Sequence, residues 1–139
     1  MPAPDLPDPA GQAETGRLAD RPCVPCRGGV PPLGPERVAQ LAREIAGWRV
    51  VEGRRLARTF RTKDFATALE LVNRIGAVAE AAGHHPDLHL SWGKVGVEMW
   101  THKIGGLTES DFILAAKIDD LVARNPGLVR SAEGAGGRP

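Results

Sequence analysis

The sequence predicts an α+β fold: a four-stranded antiparallel sheet with three helices packed on one face, in the order αββαββα. Two observations lead to this prediction. Three segments repeat apolar residues at helical spacing, whereas four shorter segments alternate apolar and polar residues as half-buried strands do. The strand segments form two pairs, each joined by a short glycine-containing turn, which favours hairpins and therefore antiparallel pairing. At 139 residues the chain has the length of about one domain.

Each predicted helix is bounded by residues that are common at helix ends. The first begins at Pro35, which suits the first helical position, and its apolar spacing continues to Gly47. The second extends from about residue 64 to residue 82 and is followed by a glycine. The third begins at the sequence TESD, residues 108–111, which has the form of a capping box, and it ends at the Asn-Pro-Gly of residues 125–127.

The strand segments predict two hairpins. The first is WRVVEGRRLARTFR, residues 48–61, with its turn at residues 52–54. The second joins LHLSW, residues 88–92, to VGVEMWTH, residues 95–102, through a tight turn at Gly93-Lys94. We interpret the basic side chains of the first hairpin as a solvated sheet face; they are Arg54, Arg55, Arg58 and Arg61. Because the net charge is only +1, no direct nucleic-acid partner is expected.

The helix of residues 64–82 has two apolar stripes, which is more than one sheet can cover. The first stripe contains Phe65, Leu69, Val72, Ile75 and Ala79, and the second contains Ala68, Leu71, Ile75, Val78 and Ala82. In a chain this short, the second apolar face favours a subunit interface. The sequence therefore predicts a homodimer or homotetramer that assembles through this helix.

The segments that flank the predicted domain have a different composition. Residues 1–33 are rich in proline and glycine and lack apolar periodicity, which predicts a flexible N-terminal arm. The folded domain should span residues 34–126, followed by a flexible tail at residues 127–139. The arm contains Cys23 and Cys26, which we interpret as reduced thiols, with a metal site or a redox pair as the alternatives.

The sequence also predicts where the protein is found. No apolar run approaches the 18 or so residues of a membrane span, and the N-terminus has early acidic residues and repeated prolines where a secretory signal would be apolar. We therefore expect a cytoplasmic protein with no membrane partner.

All four histidines of the chain lie close together in the sequence, as His84, His85, His89 and His102. A structural role in the core is one interpretation. A zinc site that includes Glu80 is another, but adjacent side chains in a turn diverge and no H-x-x-x-H spacing is present. Metal-free acid/base catalysis is the third, because imidazole can donate or accept a proton near neutral pH. Loops at the ends of helices and strands commonly carry such groups.

The spacing around these histidines resembles the signature of the pterin-4a-carbinolamine dehydratase family. The pattern is Glu80-x-x-x-His84-His85-Pro86, followed at the family's intervals by Trp92, His102 and Asp111. The resemblance extends over residues 34–125 and includes GW at 47–48, EG at 52–53 and KDF at 63–65. It implies the same fold, assembled as dimers or tetramers, and it implies loss of water from 4a-hydroxytetrahydropterin to give quinonoid dihydropterin.

The resemblance also implies roles for individual residues. His84 and His102 are the acid/base candidates, and His85 is expected to bind and orient the pterin. Four further residues are implied to bind the substrate or to support the site: Glu80, Pro86, Trp92 and Asp111. Packing or turn formation is the alternative role for these residues. His89 falls outside the pattern and is expected at the surface.

The resemblance further implies no metal and no cofactor, and a functional link to an aromatic amino acid hydroxylase, whose pterin the reaction would regenerate. Some relatives act without chemistry, as dimerisation partners of a transcription factor or as Rubisco assembly chaperones. A non-catalytic binding role on the same fold is therefore the alternative.

Overall fold

The computed structural model describes residues 17–23 and 31–133. The α+β prediction is confirmed, with three α-helices and an antiparallel sheet. The helices are α1 (Pro35–Ala42), α2 (Phe65–Ala82) and α3 (Glu109–Arg124), and the strands are β1 (Arg49–Val51), β2 (Arg55–Arg61), β3 (Asp87–Ser91), β4 (Lys94–Met99) and β5 (Ser131–Glu133). Short 3₁₀ segments lie at Leu18–Asp20, Arg43–Ile45 and Pro126–Leu128.

The four predicted strands follow the order β1-β2-β4-β3, and β5 adds a short pairing to β2. Both predicted hairpins, β1–β2 and β3–β4, are antiparallel. In the centre of the sheet Leu56 lies opposite Met99, and at its edge Leu88 lies opposite Val97. Because side chains alternate along a strand, this register places one set of apolar residues on a single face, which the helices cover.

The core lies between that face of the sheet and the helices. Its central side chains are fully buried and come from every main layer; they include Leu41, Leu56, Phe60, Leu71, Ile75, Val95, Met99, Leu114 and Ile118. The helical spacing predicted from the sequence accounts for the contacts of α2, since its buried residues recur every three or four positions. Helix α3 is buried on all sides in its first two turns, from Ser110 to Ala115. In the described part of the chain, no helix is both long and apolar enough to span a membrane.

Helix α2 buries one of its two apolar stripes and leaves part of the other exposed. Ala68, Leu71 and Ile75 are fully buried against the sheet and α3. Phe65 remains 45% exposed and Leu69 42% exposed, and a Cβ added at Gly76 would have no neighbour within 4 Å. The fold of one chain therefore leaves an apolar strip on α2 uncovered.

One arginine of the first hairpin lies on the helix side of the sheet rather than on a solvated face. Arg58 has only 13% of its side chain exposed, and its guanidinium donates to Asp119 Oδ1 at 2.8 Å. Trp48 Nε1 donates to the same oxygen at 2.9 Å. Burial raises the pKa of Asp119, although the bonds from Trp48 and Arg58 act in the opposite direction. The interpretation of all four arginines as solvated is therefore wrong for Arg58.

The predicted flexible arm includes a stretch that is packed against the domain. Leu18 is only 2% exposed, and Lys117 Nζ of α3 donates to the carbonyl oxygen of Ala19 at 2.8 Å. Burial of a leucine stabilises such a contact by roughly 1.5–3 kcal/mol, which offsets part of the entropy lost on ordering the segment. The rest of the predicted arm at residues 1–16 and 24–30, including Cys26, lies outside the described residues.

Residues 127–133, predicted as part of a flexible tail, belong to the folded domain, and residues 134–139 lie outside the described residues. Leu128 is 7% exposed in the core, and β5 pairs with β2. β5 was not predicted, because a strand of three residues is too short to show alternation of apolar and polar residues.

Candidate active site

The C-terminal end of α2 turns His84 toward the interior. Gly83 has a φ of 70°, the left-handed conformation that glycine adopts at low cost. Its N–H donates to the Glu80 carbonyl at 3.2 Å, and the His84 N–H donates to the Ala79 carbonyl at 3.2 Å. This pair of bonds is a Schellman motif, which ends a helix and fixes the direction of the next residue. As a result His84 is buried, at 9% exposure.

His84 is paired with a buried carboxylate at the start of α3. Its Nε2 lies 2.7 Å from Asp111 Oδ1, and Asp111 is 0% exposed. A carboxylate that accepts from Nε2–H fixes the imidazole tautomer and stabilises the ring when it gains a proton. In the neutral ring, Nδ1 then carries the lone pair.

Asp111 also has the capping role that the sequence predicted. The capping box with Thr108 is present, and the Thr108 N–H donates to Asp111 Oδ2 at 2.9 Å. The Thr101 hydroxyl donates to the same oxygen at 2.7 Å. Asp111 therefore serves the helix end through Oδ2 and His84 through Oδ1.

The adjacent histidine faces outward. His85 Nε2 lies 2.9 Å from Glu80 Oε1, and the two side chains are 62% and 81% exposed. An exposed pair of this kind contributes little to stability. Within the described residues Glu80 thus bonds to His85, whereas the carboxylate partner of His84 is Asp111. The expected divergence of adjacent side chains agrees with this arrangement.

His102 lies beyond the end of β4, in an exposed turn. Its ring stacks on Trp100, with the centroids 4.3 Å apart and the planes 8° apart. The Arg55 guanidinium lies 5.6 Å from the Trp100 centroid. Thr101, which lies between Trp100 and His102 in the chain, donates to Asp111. His102 therefore directly follows a residue that contacts the carboxylate partner of His84.

The remaining predicted site residues occupy different positions. Pro86 lies between His85 and β3, at the same end of the second hairpin as His102. Trp92 is in the β3–β4 turn at the opposite end, roughly 17 Å away at about 3.3 Å per residue, and it is 70% exposed. The single chain therefore brings Trp92 neither into the core nor to its own histidines. His89 is exposed on β3, as expected.

Comparison with known proteins agrees with this geometry. The family model for pterin 4 alpha carbinolamine dehydratase matches residues 31–121. The chain belongs to this family. Proteins of Rubrobacter xylanophilus and Rickettsia bellii that carry the provisional name pterin-4-alpha-carbinolamine dehydratase are 53% and 52% identical over 104 and 106 residues. These matches cover 75% and 76% of this chain, and 97% and 94% of the relatives.

A solved structure from Brucella melitensis, described as a transcriptional coactivator/pterin dehydratase, matches with a TM-score of 0.60 at 32% identity. The match covers 65% of this chain and 97% of that one. The predicted membership of the pterin-4a-carbinolamine dehydratase family is thereby confirmed, and the family's fold is shared.

The Cys23 thiol of this dehydratase family member lies beside the first turn of α3. Cys23 Sγ lies 3.7 Å from the carbonyl oxygen of Ser110, and burial raises the pKa of the thiol. Across residues 17–23 and 31–133, no three His, Cys, Asp or Glu side chains are grouped as a metal site would require.

Two residues of the site, Trp100 and Thr101, were not among the predicted site residues. Thr101 and Trp100 are neighbours of His102, and each makes the contact that ties His102 to another part of the site. The alternation of VGVEMWTH is a partial signal, because it places Trp100 on the same side of the chain as His102. Nothing in that pattern indicated that the Thr101 hydroxyl binds Asp111.

Proposed function

We propose that this protein catalyses the dehydration of 4a-hydroxytetrahydropterin to quinonoid dihydropterin and water, with His84 and His102 as the acid/base pair. The observation that carries the proposal is the buried pair of His84 and Asp111 in a member of this family. A surface histidine would need no such partner. A carboxylate held at zero exposure supports an imidazole that gains and loses a proton.

The reaction requires one proton to be delivered and one to be removed. Hydroxide is a poor leaving group from C4a, so a general acid protonates the hydroxyl as the C4a–O bond breaks. The N5 lone pair forms the C4a=N5 double bond, and a general base takes the N5 proton. The products are water and the quinonoid dihydropterin. The protein regains its starting protonation state when the acid takes up a proton from solvent and the base releases one.

The contacts of the three histidines support a different role for His85 than for His84 and His102. His84 is held by Asp111, whereas His102 is exposed and held by stacking on Trp100. Among the described residues His85 is bonded to the Glu80 carboxylate, and both side chains are largely exposed, so the ring has room to turn toward a ligand. We assign proton transfer to the first two and pterin binding to His85.

The direct test is the decay of synthetic 4a-hydroxytetrahydropterin, followed by stopped flow with and without the protein. Acceleration by micromolar protein is expected, and heat-denatured protein serves as the control. A folded sample that leaves the spontaneous rate unchanged would remove the enzymatic assignment.

We further propose that the reaction needs neither metal nor cofactor, because the histidines can donate and accept both protons. Dialysis against a strong chelator is therefore expected to leave the rate of dehydration unchanged within error. The measurement is the same stopped-flow assay before dialysis, after it, and after zinc is added back. Activity that is lost on dialysis and restored by zinc would contradict the metal-free mechanism.

We also propose that the protein forms at least a homodimer through α2, works in the cytoplasm, and serves an aromatic amino acid hydroxylase by regenerating its pterin. The assembly is supported by the exposed apolar side chains of Phe65 and Leu69, which form the uncovered strip on α2. An uncovered strip on the longest helix favours association, because its burial removes apolar surface from water.

The Leu69→Glu variant is expected to reduce the mass measured by light scattering to that of the monomer. Leu69 is 42% exposed in the single chain, so the new carboxylate would stay solvated in a monomer and be buried in an assembly. Glu70→Gln, on a neighbouring exposed position, is the control and should keep the wild-type mass. A wild type that is monomeric at working concentration would contradict the proposed interface.

A binding role is the second candidate function, and it is favoured by one finding. The Brucella melitensis protein of shared fold is described as both a transcriptional coactivator and a pterin dehydratase. The dehydration assay separates the two functions, since a purely binding or chaperone protein would show no turnover.

A further inference from the structure

We infer that Thr101 is a positioning residue, whose hydroxyl holds Asp111 in the orientation that sets the tautomer of His84. This inference rests on the proposed function for its kinetic consequence, but its structural content can be measured without substrate. Thr101 is 1% exposed and lies between the two parts of the site, immediately before His102.

The hydrogen bonds of Thr101 leave its hydroxyl little freedom. The hydroxyl lies 2.7 Å from Asp111 Oδ2 and 3.0 Å from Thr108 Oγ1. Because a carboxylate accepts only, the Thr101 proton is donated to Asp111. The Thr108 hydroxyl can donate to Thr101 Oγ1 at 3.0 Å or to Asp111 Oδ2 at 3.4 Å, and the first contact has the better length. The two threonines thus form a chain of donors that ends at Oδ2.

The donors to Oδ2 fix the orientation of the carboxylate relative to His84. Oδ2 receives the Thr101 hydroxyl and the Thr108 N–H, so Oδ1 is left for His84 Nε2 at 2.7 Å. The two oxygens are equivalent, so a half-turn would change nothing, but a partial rotation of the carboxylate would leave a buried hydroxyl without its acceptor, which costs free energy. The hydroxyl therefore resists rotation of Asp111 and keeps Nε2 as the protonated nitrogen of the neutral ring.

Thr101 also connects Asp111 to the turn that carries His102, through its backbone hydrogen bonds. Its N–H donates to the Gly106 carbonyl at 2.8 Å, and its carbonyl accepts from the N–H groups of Ile104 and Gly105 at 3.1 and 2.9 Å. Both ends of the His102 turn are thus fixed by one residue. Thr101 is the physical link between the two histidines to which we assign proton transfer.

The test compares Thr101→Val, which keeps the shape and removes the hydroxyl, with Thr101→Ser, which keeps the hydroxyl. Nitrogen-15 NMR of the histidine side chains should show a fixed Nε2–H tautomer for His84 in the wild type and in Thr101→Ser, and a mixture in Thr101→Val. In the dehydration assay Thr101→Val should lose about tenfold in kcat with little change in KM, the size expected for one hydrogen bond.

Thr62→Val is the matched control, because Thr62 is also buried, at 2% exposure, and its hydroxyl bonds to the Asp64 carbonyl at 2.9 Å away from the site. It should lower the melting temperature as Thr101→Val does but leave the His84 tautomer and kcat at wild-type values. A purely structural role for Thr101 predicts the same behaviour for both variants, and that result would overturn the inference.

Two further outcomes keep the test decisive. A wild type whose His84 carries its proton on Nδ1 would overturn the inference without any variant. Thr101→Cys, with a weak donor of similar size, replaces the valine variant if the latter does not fold, and failure of both would also overturn it, since Thr101 would then serve the fold alone. Wild-type protein without dehydratase activity would refute the proposed function. The NMR measurement of the His84 tautomer would still show whether the Thr101 hydroxyl positions Asp111.

Discussion

Replacing His84 or His102 with alanine is expected to lower kcat by about 10²–10⁴-fold, with a smaller effect on KM. General acid/base catalysis is typically worth that factor, and loss of a group that acts in the transition state reduces kcat. Some activity should survive each single change, because the substrate also dehydrates unaided and the remaining imidazole can serve one step. The double variant should approach the uncatalysed rate while its circular dichroism spectrum stays that of a folded protein.

Two other histidines provide the comparison within the same chain. His85→Ala should raise KM and spare kcat, since a group that binds ground state and transition state alike contributes to affinity only. His89→Ala should be close to neutral, because its side chain is exposed on β3. A larger loss of kcat in His85→Ala than in His84→Ala and His102→Ala would show that the roles are wrongly assigned even if the family activity is present.

The Asp111→Asn variant should lose a comparable factor in kcat, about 10²–10⁴-fold, and should also be less stable. The amide keeps the shape of the carboxylate but has one acceptor oxygen. If that oxygen stays with the donors of Thr101 and Thr108, the NH₂ group faces His84 Nε2 and forces that nitrogen to accept. The ring then takes the other tautomer, which is the wrong one for the proposed chemistry.

Thermal and urea unfolding should show a loss of about 1–3 kcal/mol for Asp111→Asn, because a fully buried group loses charge-assisted hydrogen bonds. Asp120→Asn is the matched control on the same helix; its carboxylate pairs with Arg17 and Arg124 at the surface. It should change stability by less than about 1 kcal/mol and leave kcat unaltered. Equal kinetic effects of the two variants would contradict a special role for the His84–Asp111 pair.

The sequence alone determined the layered architecture and the caps of α2 and α3. Helical spacing and strand alternation are local properties of the chain, and each reports which face of an element is apolar. For that reason the order αββαββα, the helix stop at Gly83 and the capping box at Thr108 and Asp111 were predictable. The family pattern added the set of residues among which the site would be found.

The tertiary structure alone decided which of those residues meet. The sequence placed Glu80 one helical turn from His84, but the Schellman motif turns His84 inward and leaves His85 to contact Glu80. Trp92 alternates with apolar residues, yet the hairpin turn falls at Trp92 and exposes it. Local patterns cannot report such outcomes, since they depend on how separate elements are placed against one another.

The contacts that define the candidate site are long-range for the same reason. His84 and Asp111 are 27 residues apart in the chain, and they meet because α2 and α3 pack side by side on the sheet. Thr101 joins the pair only because β4 ends beside the first turn of α3. A side-chain hydroxyl leaves no periodic trace in a sequence, so its hydrogen-bond partner is fixed by packing and becomes visible only in three dimensions.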